Sequence, residues 1–256
     1  MSTLICTSSR YAAEMPDLSD LVDLLSTRPS GGRPYVVAIT GGVAAGKSVL
    51  AAQLAEALGR RPERSNVEIV GTDGFLFDNA TLEARGLGMR KGFPETYDVE
   101  GLRAALASIR SGPTSFPGYS HSTYDIDPAL VRTLSPPDVL IVEGLGLHLD
   151  HGVDASGRRL IDVLIYLDAE PEHLEAWFTA RLVALMLAAR NDPTSFYARF
   201  LDLDDAGRLA FAKMVWTRIN LPNLTDHISA ARDLADIVVR KRADHAIEAI
   251  DQPPRH

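Results

Sequence analysis

A single cysteine, Cys6, stands among the 256 residues. It excludes an internal disulfide and a cysteine-rich zinc site, and it fits a reducing compartment. Long apolar runs are missing: the most apolar helical stretch, Leu182 to Ala189, is far shorter than the roughly 20 residues that span a bilayer. Met1 to Tyr11 has no basic start leading into an apolar run, so no signal peptide is expected. Positive charge is in deficit, with 26 Lys+Arg against 34 Asp+Glu and a formal net charge of −8. Such a surface repels nucleic acid on average but allows a local basic pocket for a small anion. Lysine is scarcest, with only Lys47, Lys91, Lys213 and Lys241. No internal repeat or low-complexity segment occurs. These absences lead to the expectation of a soluble, cytoplasmic protein that engages neither membrane nor nucleic acid. The hydrophobic fraction of 46% and charged fraction of 23% are those of an ordinary globular chain, long enough for one large α/β domain or two small ones.

Residues 1–34 read as a separate N-terminal helical extension and linker. Helical spacing runs from Asp17 to Leu25, and Pro29-Ser30-Gly31-Gly32-Arg33-Pro34 breaks it. Residues 35–256 then alternate strands with helices. Strands are expected over Tyr35–Thr40, Val67–Thr72, Val139–Val142, Ile161–Leu167 and Ala235–Arg240. Helices are expected over Lys47–Leu58, Val99–Arg110, Pro171–Ala189 and about Asp204–Asn220, with a short one after the last strand. This alternation predicts an α/β fold with a mostly parallel sheet and helices on both faces.

Gly41-Gly42-Val43-Ala44-Ala45-Gly46-Lys47-Ser48 is a complete G-x-x-x-x-G-K-[ST] phosphate loop between a buried strand and a helix, which makes the expected fold P-loop NTPase-like. Glycines let successive backbone N–H groups face a nucleotide's phosphates, and the helix N-terminus adds partial positive charge. Lys47 is placed to neutralise the β- and γ-phosphates and Ser48 to ligate Mg²⁺. The loop, with Val49 beyond it, is the expected ATP site. Two acids follow other strands: Asp73 in Thr72-Asp73-Gly74-Phe75, and Glu143 in Glu143-Gly144. In a parallel sheet both lie on the rim of the loop. There one acid can hold Mg²⁺ and the other accept a proton from an attacking hydroxyl, although an Asp before Gly also commonly caps a turn. A guanine-reading Asn/Thr-Lys-x-Asp is missing, which argues against a regulatory GTPase. A small-molecule kinase with Asp73 as base is the economical reading. In the helix after Pro171, Leu174, Trp177, Phe178, Leu182, Leu185 and Met186 form an inward stripe that also contains Arg181. A cation there calls for a phosphate or a carboxylate partner.

Longer motifs carry a resemblance. Thr72-Asp73-Gly74-Phe75-Leu76, Glu83-Ala84-Arg85-Gly86-Leu87, Arg90-Lys91-Gly92-Phe93-Pro94-Glu95-Thr96-Tyr97-Asp98, Tyr119-Ser120-His121, Tyr124-Asp125, Glu143-Gly144-Leu145 and Ile219-Asn220 closely resemble the bacterial type I pantothenate kinases. The likeness runs in order from about Tyr35 to Ile250. It implies a P-loop fold, MgATP, transfer to the primary hydroxyl of pantothenate at the entry to coenzyme A synthesis, and a homodimer. It also implies Asp73 as catalytic base, Lys47 and Ser48 at phosphates and metal, and His245 flanking adenine. Lys91, Tyr119, His121, Tyr124, Arg181 and Asn220 would line the site for pantothenate and the transferred phosphate. Without it, Lys91 reads as a solvated charge, His121 as readily as a structural histidine, Asn220 as a helix-end residue, and His148 and His151 as surface histidines. Departures accompany the likeness. Phe178 stands where the family has a pantothenate-contacting tyrosine, Leu182 and Leu185 replace aromatic residues, and Ala52 replaces an arginine tied to coenzyme A inhibition, which is therefore expected to be weak. The alternatives are a P-loop kinase acting on a nucleoside or phosphosugar, and a nucleotide-binding regulator without turnover.

Overall fold

The computed structural model describes residues 16–27, 34–147 and 152–254; His148, His151, Cys6 and the break at 29–33 lie outside them. Ten strands are found there: β1 (Tyr35–Gly41), β2 (Val67–Gly71), β3 (Thr114–Phe116), β4 (Tyr119–Ser120), β5 (Asp125–Ile126), β6 (Arg132–Leu134), β7 (Val139–Glu143), β8 (Val163–Asp168), β9 (Ile237–Lys241) and β10 (Ile247–Asp251). The α-helices are α1 (Leu18–Thr27), α2 (Lys47–Gly59), α3 (Asn79–Ala84), α4 (Val99–Ser108), α5 (Pro171–Ala188), α6 (Asp205–Val215), α7 (Leu221–Asp226) and α8 (Ala231–Leu234). Six strands form one sheet in the order β10-β9-β8-β1-β7-β2, parallel except for β10. The α/β, mostly parallel architecture read from the sequence is the one observed.

Every residue of β1 is buried, as helices on both faces require. Register fixes the functional rim. Ile39 pairs with Glu143 and Gly71 with Glu143, while Gly41 pairs with Leu167 and Asp168 with Arg240. The carboxyl ends of β1, β2, β7, β8 and β9 therefore come out together, with β1 between β7 and β2 on one side and β8 and β9 on the other; the chain runs from β1 to β2, returns to β7, and crosses β1 to reach β8. That is the topological switch point at which open α/β sheets bind ligands. Helix α1 contributes Leu21, Val22 and Leu25 to the same core as the sheet. A smaller apolar cluster, built on Leu182, Met186, Ala189, Tyr197 and Ala212, joins α5 to α6.

Two expected elements differ. The segment after β9 is not a helix: a turn at Arg242–Ala246 returns it as β10, antiparallel to β9. His245 takes a left-handed φ of 66° in that turn, and Ile247 and Ile250 pack on the core. The helix expected to run to Asn220 is α-helical only to Val215, then passes through a π turn, Trp216–Asn220, into α7. Pro222 explains the widening, since it has no N–H and its ring crowds the carbonyl four residues back, inside that turn.

Candidate active site

The phosphate loop leaves β1 at Gly41 and enters α2 at Lys47. Gly41 has φ 140°, and a side chain there would sit 2.4 Å from the Leu167 carbonyl oxygen; Gly46 has φ 93° as the residue capping α2. No side chain caps that helix, so its first N–H groups remain open to an anion. Ala44 is also left-handed, at φ 65°. Val43 and Ala44 are half-buried and Ala45 buried, while Ser48 and Val49 are exposed in the first turn of α2. Lys47 donates from Nζ to the carbonyls of Gly41 (3.1 Å) and Gly42 (2.9 Å). Burial pushes its pKa down, and so does the charge of Arg181, while Glu143 and Asp73 oppose the shift.

The acids occupy the neighbouring strand ends. Ser48 Oγ donates to Glu143 Oε1 at 2.8 Å, which joins the first turn of α2 to the end of β7. Asp73 sits half-buried in a short 3₁₀ turn, Thr72–Phe75, directly after β2. Its carboxylate accepts no hydrogen bond from a described residue, yet its charge acts on Lys47, Lys91, Tyr119 and Tyr124. Among the described residues no three His, Cys, Asp or Glu side chains cluster as a ready-made metal cage.

Lys91 is not the solvated charge its sequence context suggests, because its side chain is 6% exposed. Its Nζ donates to Asn79 Oδ1 (2.6 Å) and the Tyr124 carbonyl (2.7 Å), and it lies 3.9 Å from Asp125. It also faces the rings of Tyr119 (5.0 Å) and Tyr124 (4.6 Å), where an ammonium is attracted to the π face. Burial lowers its pKa against the pull of Asp125, Asp73 and Asp78. Tyr119 packs edge-on to both His121 (5.2 Å) and Tyr124 (6.2 Å). Tyr124 itself holds φ 56°, an uncommon conformation for a bulky residue and one that concentrates at functional sites. Burial pushes the Tyr124 hydroxyl up to about 12 and that of Tyr119 higher still. Both therefore remain hydrogen-bond donors at neutral pH.

Helix α5 corrects one expectation. Its buried stripe is Leu174, Thr179, Leu182 and Met186; Trp177, Phe178 and Leu185 flank it half-buried, and Arg181 is exposed. Arg181 therefore points past the edge of the stripe, makes no ion pair with a described carboxylate, and acts electrostatically on Lys47 and Tyr197. Phe178 packs against Trp216 at 6.1 Å, beside the π turn. Asn220 ends that turn with its Nδ2 buried and unpartnered.

His245 stands apart from the aromatic set. Its ring stacks on Trp177 at 4.0 Å and 24°, and Trp177 donates from Nε1 to the Ala243 carbonyl (3.0 Å). Beside it, Lys241 Nζ donates to the Ala45 carbonyl (3.2 Å), tying the end of β9 to the phosphate loop. Sequence reasoning did not single out Asn79, Lys241 or Tyr197, and it read Trp177 only as core. Lys241 alone carried a signal, as one of four lysines and at a strand's carboxyl end.

A profile of the phosphoribulokinase/uridine kinase family matches residues 36–181. A pantothenate kinase of Streptococcus equi subsp. zooepidemicus is 39% identical over 246 residues, covering 94% of this chain and 79% of that protein. Among solved structures, a putative fructose transport system kinase from Silicibacter is 29% identical, with TM-score 0.56 over 81% of this chain and 97% of that one. A D-glycerate 3-kinase from Cryptococcus neoformans matches at 14% identity and TM-score 0.61, over 92% and 99%; at that identity the likeness is one of fold. Among the described residues no helix is long and apolar enough to cross a membrane. With its phosphate loop, rim acids and ordered motifs, the chain belongs to the phosphoribulokinase/uridine kinase family, in its bacterial pantothenate kinase-like branch, and is an ATP-dependent phosphotransferase acting on a small alcohol.

Proposed function

We propose that the alcohol is pantothenate, phosphorylated on its primary hydroxyl. The observation that carries this reading is 39% identity to a pantothenate kinase across 94% of the chain. The grouping of Lys47, Asp73, Lys91, Tyr119 and Tyr124 around one rim supports it. Asp73 takes the hydroxyl proton as the alcohol oxygen bonds to the γ-phosphorus and the bond to the departing ADP oxygen breaks. The open carboxylate of Asp73, unengaged by any described donor, suits a proton acceptor. Lys47 and Arg181 counter the charge of the moving phosphoryl group. Gly41 to Ser48, with Val49, cradle the triphosphate, and His245 on its Trp177 stack offers a flat face to the base. Lys91, Tyr119, His121, Tyr124 and Asn220 hold the acceptor's polar groups, and Phe178 its aliphatic body.

Mg²⁺ fits the oxygen donors present. The Ser48 hydroxyl and Glu143 carboxylate lie 2.8 Å apart, and this ion is commonly held by one or two such groups plus substrate phosphates. When bound, it supplies charge neutralisation on those phosphates.

The deciding measurement is ADP release with pantothenate, uridine, ribulose 5-phosphate or glycerate as acceptor. Pantothenate is expected to give by far the largest kcat/KM. No pantothenate-dependent rate, together with turnover of another alcohol, would sink the assignment.

A further inference from the structure

Tyr197 belongs to no motif of the sequence reading, yet it stands where the aromatic set meets α5. Its turn, Phe196–Phe200, is tied to the β4–β5 hairpin by the Phe196 N–H donating to the Ser122 carbonyl at 2.7 Å. The Tyr197 ring lies 6.4 Å from Tyr124 and 5.4 Å from Phe196, steeply inclined to both. On its other side it joins the cluster of Leu182 and Met186 on which Phe178 packs. The residue is 9% exposed, but its hydroxyl bonds to no described residue and is not sealed in the core. Arg181 and the hydroxyls of Tyr119 and Tyr124 lie within electrostatic reach, so the phenol stands beside the groups proposed to hold the acceptor. Its neighbours on α5, Phe178, Leu182 and Met186, offer neither oxygen nor side-chain nitrogen. A phenylalanine would fill the same space, so the hydroxyl is surplus to packing. An almost buried phenol normally finds a partner for that group.

We infer that the Tyr197 hydroxyl hydrogen-bonds a polar atom of the acceptor, and from its turn facing α5 compensates for the hydroxyl Phe178 lacks. The inference rests on the pantothenate reading and makes Tyr197 a specificity-determining residue of the same site. Its chemistry suits an acceptor with an aliphatic body, which meets Phe178 and Leu182, and a carbonyl or hydroxyl beyond the reacting oxygen, which meets Tyr197.

The test compares wild type, Tyr197→Phe, and Tyr197→Phe with Phe178→Tyr, in steady-state ADP release with pantothenate. Loss of one hydrogen bond predicts a pantothenate KM raised about three- to tenfold in Tyr197→Phe. The KM for ATP, kcat at saturating pantothenate and thermal midpoint should stay near wild type. Returning a hydroxyl at Phe178→Tyr should recover most of the lost affinity, which a packing role could not do. An unchanged pantothenate KM in Tyr197→Phe overturns the inference but leaves the pantothenate assignment standing. A wild-type enzyme without pantothenate turnover overturns the assignment first, and is read from the control alone.

Discussion

Replacing Asp73 with asparagine separates proton acceptance from every other duty of the rim. The two side chains have nearly the same shape, and the Asp73 carboxylate accepts no hydrogen bond from a described residue, so no structural bond is broken. Lys47 keeps its contacts with the Gly41 and Gly42 carbonyls, and Ser48 keeps Glu143. Nucleotide affinity should therefore stay within about threefold. What disappears is a base at the acceptor oxygen, a contribution of about 10²–10⁴ in rate, or roughly 3–5 kcal/mol of barrier. A second effect follows from charge. Asp73 raises the pKa of both Lys47 and Lys91, against burial that lowers them. Removing it deepens both depressions, so the alkaline decline of the residual activity should begin at lower pH than in wild type.

The assay is coupled ADP release at saturating ATP and pantothenate, alongside direct titration of nucleotide binding. A fall in kcat of at least about a hundredfold with nucleotide binding retained is the expected result. Turnover within about tenfold of wild type would refute Asp73 as the base. Equal collapse of binding and turnover would refute the claim that its charge is dispensable to the phosphate loop.

Asn79→Ala removes one of the two close acceptors of the buried Lys91 ammonium. A hydrogen bond to a charged group predicts a pantothenate KM raised about tenfold, with the KM for ATP unmoved; equal changes in both would place the fault elsewhere. His245 is pushed below its ordinary 6.5 by burial and then by Lys241, with Asp244 opposing. The unfolded chain thus binds the extra proton between that lowered value and 6.5, and stability rises with pH across this window. Thermal midpoints measured from pH 5 to 7.5 should rise less steeply in His245→Gln, and parallel curves would contradict the reasoning. Leu25→Ala empties a fully buried position on α1 and should cost about 2–5 kcal/mol in urea unfolding if α1 is part of the cooperative core. An unshifted transition would make α1 an appendage.

The central strands were legible because a parallel strand covered on both faces is apolar along nearly its whole length, as Tyr35 to Ile39 and Val139 to Val142 are. Where local and tertiary preferences disagree, reading failed. Ala246 to Ile250 has residues that favour a helix, but the unpaired edge of β9 and the left-handed turn at His245 draw it into the sheet. The π turn has no periodic signature, since its cause is one proline six residues beyond its first residue.

The site divides along the same line. Gly41 to Ser48 forms a continuous string whose function follows from backbone geometry, so spacing alone exposes it. Lys91 and Tyr197 carry no such string, because their meaning depends on what is brought to them across the fold. Asn79 reaches Lys91 from α3, Tyr124 from a hairpin, and Phe178 meets the cluster of Tyr197 from α5. Arg181 shows the opposite failure. Its spacing with Phe178 and Leu185 was right, but those two lie at the margin of the buried stripe rather than its centre, so a side chain in line with them is exposed. An exposed guanidinium acting on Lys47 needs no buried counter-ion, and it is free to meet charge that arrives with the substrate.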